Sequence, residues 1–159
     1  MAIHDAPTGQ GKKFYAAALV AAQFGLLTLL IAATALTWRQ GTAPFLAWAL
    51  WAVAVLLGVW ALWANRPGNF NIRPMPRTDG YLVQHGPYRW IRHPMYTGVA
   101  SLAAGCALAV GSVWAWASMA LLALVLVFKS IVEERWMSDV HPEYRDYRRR
   151  TWRFIPWVV

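Results

Sequence analysis

Two polar clusters bracket a long apolar stretch, and both are built from groups that bind or move charge. The run from Gly86 through Tyr88, Arg92, His93, Pro94 and Tyr96 to Gly98 leads into that stretch, and Glu133-Glu134 follow it. Pro94 at the first position of a helix leaves the amides of the next turn unpaired and directs the positive end of the helix dipole at the preceding loop. That is a ready place for an anion, and Arg92 and His93 add donors to it. Glu133 and Glu134 pose the reverse case: acids near the C-terminal end of an apolar helix, where the dipole and the loss of water both oppose them. The plain structural reading pairs Glu133 with Lys129 one turn earlier and Glu134 with an arginine of the loop. The functional reading makes them part of a binding site. Adjacent helical residues point about 100° apart, so at most one of the two aims straight into a pocket.

An anion-binding helix start, a carboxylate and aromatic rings together suit a zwitterion carrying an extra positive centre. A carboxylate takes the helix end, an ammonium takes one Glu, and a sulfonium takes the face of Tyr88, Trp90 or Tyr96. S-adenosylmethionine has those three charges, and other amphiphilic ligands also fit.

For the clusters to act together, the chain between them must bring them to one level. Thr97 to Phe128 is about 32 residues without a charge, where one membrane crossing needs roughly 20. Gly111-Ser112 lies inside it and permits a tight reversal. Two helices are therefore expected, at about 94–110 and 113–136. At 1.5 Å per residue the first rises about 25 Å and the second descends about 30 Å, which returns Glu133 and Glu134 to the depth of His93 and Tyr96.

The rest of the chain reads as membrane protein. It is 58% hydrophobic and only 14% charged, a composition outside the soluble range. Phe14 to Leu36 is an uncharged run long enough to span a bilayer. A cleaved signal peptide, with Ala33-Thr34-Ala35 as its processing site, competes poorly because the run is too long. Spans are expected at about 14–37 and 44–64, followed by an interfacial loop over 65–93 rich in Pro and Arg and a cytosolic tail over 138–159. The expected fold is all-α and polytopic: a single membrane domain, 1–159, of about four transmembrane helices with a C-terminal hairpin.

Of the 15 Lys and Arg residues only Arg39 falls on the far side of that topology. Basic residues are retained in the cytoplasm, so both termini and the active face are expected there, in a bacterial inner membrane. The same asymmetry explains the net charge of +8 through anionic lipid headgroups, and no nucleic acid is required. The tail, with His141-Pro142-Glu143-Tyr144, Tyr147 and five Arg between 145 and 153, reads by itself as a basic amphipathic segment resting on those headgroups. The single cysteine, Cys106, is a small buried hydrophobe and excludes an internal disulfide. No metal is called for.

Gly86-Pro87-Tyr88, Arg92-His93-Pro94-Met95-Tyr96-Thr97-Gly98, the apolar hairpin, Glu133-Glu134 and Tyr144-x-x-Tyr147 with Pro156 resemble the isoprenylcysteine carboxyl methyltransferase and phospholipid methyltransferase family of integral membrane enzymes. The resemblance covers about residues 75–157. It implies an S-adenosylmethionine pocket at the cytosolic ends of the last helices, with Tyr88, His93, Pro94, Tyr96, Gly98, Glu133 and Glu134 at the cofactor and Arg92 and Glu134 close to the reacting groups. The implied activity is methyl transfer to a lipidic or small hydrophobic carboxylate, thiol or amine. Two rivals stand beside it. One is an NADPH-dependent sterol-type membrane reductase, which lacks support from any nucleotide-phosphate motif; the other is a non-catalytic membrane sensor or assembly protein that retains the pocket.

Overall fold

The computed structural model describes residues 9–38, 41, 43–65 and 81–158. Among them the structure is mainly helical, with one isolated bridge and no strand. Four long helices run in chain order: α1 (Gly9–Thr37), α2 (Phe45–Asn65), α3 (Pro94–Val110) and α4 (Val113–Val140). A short α5, Tyr144–Arg150, follows. Three of them, α1 from Phe14 onward, α2 and α4, are long and apolar enough to cross a membrane; α3 is a shorter apolar helix of 17 residues. The protein is an all-α, multi-pass membrane protein. The expected loop at 65–93 falls largely on 66–80, outside the described residues, as does Arg39.

The reversal between α3 and α4 comes from two residues. Gly111 closes α3 in the left-handed region, φ 67°, with its N–H on the Ala107 carbonyl, a conformation that costs glycine nothing. Ser112 then caps α4 by accepting from the Ala115 amide at 3.2 Å. At its other end α4 runs four residues beyond the expected stop at 136. Nothing in Met137 to Val140 breaks a helix, and the break comes at His141, held extended (φ −117°, ψ 102°) by the proline after it.

Helix α3 is the hub, packed against α2, α1 and α4. It approaches α2 closely through small residues: a Cβ on Gly98 would stand 3.2 Å from the Ala54 carbonyl, and one on Gly105 would collide with the Trp51 indole. The core where α1, α3 and α4 meet holds Leu27, Leu30, Ala103, Cys106, Leu122 and Leu126. Apolar side chains on the outer faces, such as Val55, Leu56 and Leu124, are the surface that lipid covers.

Candidate active site

The hairpin brings Glu133 and Glu134 back to the first turn of α3. Tyr96 donates its hydroxyl to Glu133 Oε2 at 2.8 Å, and His93 Nε2 stands 3.3 Å from Glu134 Oε1. Pro94 is the first residue of α3, with His93 as its N-cap and no side chain capping the helix start. A 3-10 turn, Gly86–Arg89, precedes it. There Gly86, at φ 60°, packs so close to Ala64 of α2 that a Cβ would meet its methyl at 2.9 Å. This turn carries Tyr88, whose phenol is pushed up to about 12 by burial and then by the charge of Glu133.

The two carboxylates differ sharply. The Glu134 side chain is 3% exposed and the Glu133 side chain 32%. Glu134 is a hub: Arg92 Nε donates at 2.9 Å, and Arg153 donates twice, Nε at 3.1 Å and Nη2 at 3.0 Å. Arg148 Nε lies 3.5 Å away. Such multiple charge-assisted bonds offset the cost of burying the anion, and their effect on Arg153 is to hold its proton more tightly than usual. Glu133 has one strong bond and an open side.

The chain end builds half of this hub. After α5 it turns back so that Ile91 and Trp152 form a parallel bridge. Arg92 N–H donates to the Trp152 carbonyl at 2.8 Å, His93 N–H to Arg153 at 3.1 Å, and Trp152 N–H to Trp90 at 3.1 Å. Arg92 also bonds the Thr151 carbonyl, Thr97 Oγ1 donates to the Phe154 carbonyl at 2.9 Å, and Tyr147 donates to the Tyr88 carbonyl at 2.8 Å. Burial raises the Tyr144 and Tyr147 phenols as well. A tail merely resting on headgroups is thus corrected: its arginines at 148 and 153 face Glu134, because the backbone of 152–153 pairs with 90–93.

Of the residues singled out by type and spacing, Arg92, His93, Tyr96, Glu133 and Glu134 meet in one cluster with Tyr88 beside it. Pro94 shapes the helix start. Gly98 lies apart, facing α2. Arg92 and His93 direct their side chains at Glu134 rather than at the start of α3, and Glu133 pairs with Tyr96 rather than Lys129. The buried Lys129 instead donates to Gln23 of α1. Reading the sequence did not single out Gln23, Thr151 or Arg153. An amide inside an uncharged helix was the available signal for the first; a five-arginine segment, explained too readily by lipid, hid the last.

The sequence profile of phospholipid methyltransferases matches residues 42–143, a stretch that holds α2, α3, the Glu pair and all of α4. The chain belongs to the phospholipid methyltransferase family. The matched residues stop before the tail that completes the Glu134 hub. The chain is also similar to the cobalt-zinc-cadmium resistance protein CzcN of Cupriavidus metallidurans, 36% identical over 87 residues, which are 50% of this chain and 38% of that relative. The match therefore spans well under half of that curated relative. No solved structure matches the chain.

Proposed function

We propose that the protein is an S-adenosylmethionine-dependent methyltransferase acting on a lipidic or small hydrophobic acceptor, with its site on the cytosolic face of a bacterial inner membrane. The observation that carries this is Glu133: a half-buried carboxylate, fixed by Tyr96 on one oxygen and open on its other side, next to the uncapped start of α3.

These residues fit the cofactor's charges. Glu133 holds the ammonium, the first-turn amides of α3 hold the carboxylate, and Tyr88 offers a ring face to the sulfonium. Tyr96 is less free for that last role, since His93 stacks on it at 5.1 Å and Lys129 Nζ sits 4.9 Å from its centroid. Bound there, S-adenosylmethionine would supply a sulfonium methyl group open to in-line attack by the acceptor's lone pair, with sulfur as the leaving group. The protein's part is to align the groups and keep water out. Where the acceptor is an amine its proton would need a base such as His93, since Glu133 is occupied by the ammonium and Glu134 already accepts from Arg92 and Arg153. Glu134 and Arg92 then act by holding the chain end and His93 in place. An apolar acceptor reaches the cluster from the bilayer between the helices.

Calorimetric titration of S-adenosylhomocysteine into protein in nanodiscs tests this. One-to-one saturable binding is the expected result; no binding in folded protein overturns the reading, and NADPH is the next titrant.

A further inference from the structure

The polar pair at the α1–α4 seam is unused by everything above. Lys129 is 1% exposed and Gln23 6%, inside the membrane-spanning parts of their helices, where an ionisable group is costly and is a functional candidate by default. Among the described residues no carboxylate stands within ion-pair distance of Lys129 Nζ. Its partners are the Gln23 side-chain oxygen and the ring of Tyr96. The ring's own hydroxyl donates to Glu133, one turn beyond Lys129 on α4. Four side chains from three helices thus form one chain of contacts: Gln23, Lys129, Tyr96, Glu133.

We infer that Lys129, held by Gln23, is a positioning residue for Glu133, acting through the ring and hydroxyl of Tyr96. An ammonium over a phenol ring draws electron density from it, which makes the hydroxyl a stronger donor. That donor sets which way the Glu133 carboxylate faces, and so leaves its second oxygen turned to the ligand. Gln23 lies on α1, before the first residue of the family match at 42. Helix α1 therefore takes part in the site through one amide, besides filling the core. The inference deepens the methyltransferase reading and rests on it for the identity of the ligand.

A double-mutant cycle tests it. K129M keeps the length and apolar packing of the side chain and removes the charge; Y96F removes the hydroxyl. Each alone is expected to weaken S-adenosylhomocysteine binding about 5- to 20-fold, with kcat for the acceptor changed far less than the KM for S-adenosylmethionine. Added to Y96F, K129M is expected to do nothing further. A K129M effect of the same size in both backgrounds, or none in either, overturns the inference, as a merely packing role would give additivity. A second readout needs no ligand: the infrared difference between wild type and E133Q marks the Glu133 carboxylate stretch. That band is expected to shift on K129M and Y96F alike, and K129R to restore it in part. An unmoved band overturns the inference even where wild type binds; a wild type that binds nothing but shows the shift sinks the methyltransferase reading alone.

Discussion

The side of the site facing the chain end and the side facing the bundle are built on opposite plans, though one peptide bond separates their central residues. Around Glu134 every oxygen direction is taken by Arg92, His93 and Arg153, and the side chain is buried. Around Glu133 one oxygen takes the Tyr96 hydroxyl, with His93 Nδ1 at 3.7 Å from the same atom, and the side chain is a third exposed. A saturated carboxylate is a fastener, and an unsaturated one is a receptor. The difference follows from the 100° step of the helix, which turns one acid to the chain end and its neighbour to the ligand side.

The heaviest way to break this contrast is to remove the fastener. Glu134→Ala leaves Arg92 and Arg153 facing each other without an anion, and is expected to cost about 3–5 kcal/mol. It should free residues 151–158 to added protease well before the helices melt; a chain end that stays protected contradicts the fastening role. Next comes the receptor. Glu133→Gln is expected to lower S-adenosylhomocysteine affinity by about 1.5–3 kcal/mol, the worth of one charged hydrogen bond, with little change in melting temperature, since the amide oxygen still accepts from Tyr96. Equal losses of stability from the two variants would erase the comparison. Arg153→Lys keeps the charge but gives up the paired donors, so a smaller loss of about 1 kcal/mol is expected, again read as proteolysis of the chain end.

A further test is one of pH. Tyr88, Tyr144 and Tyr147 all have phenols raised by burial. Above pH 10 the unfolded chain loses these protons while the folded one keeps them, so their contribution, complete below 10, falls as pH rises towards 12. The expected slope is up to about 1.4 kcal/mol per pH unit for each, read by thermal melts at pH 9, 10 and 11. A flat profile would mean that the phenols are solvated.

Much of the fold was legible in the sequence because membranes constrain it so strongly. Helix α3 runs over the expected 94–110, since Pro94 and Gly111 mark its ends by backbone chemistry alone. The convergence of His93 and Tyr96 with the Glu pair followed from helix rise. What escaped were contacts set by chain segments without a period of their own. The pairing of 90–93 with 152–153 is made by backbone amides, which carry no residue signature, and the arginines of the chain end look the same whether they face lipid or Glu134. Lys129 was read along its own helix, to Glu133 four residues on, when its hydrogen bond goes across the seam to α1.

The bridge between Ile91 and Trp152 also has a consequence for how the molecule is made. Its two halves are separated by about 60 residues of chain, which at roughly 5–20 residues per second leaves the ribosome several seconds apart. During that interval α3 and α4 can form and pack while the amides of Arg92 and His93 wait for their partners. The site is therefore completed only after the four long helices, and a nascent chain stalled before Thr151 would hold those helices with an unfinished pocket.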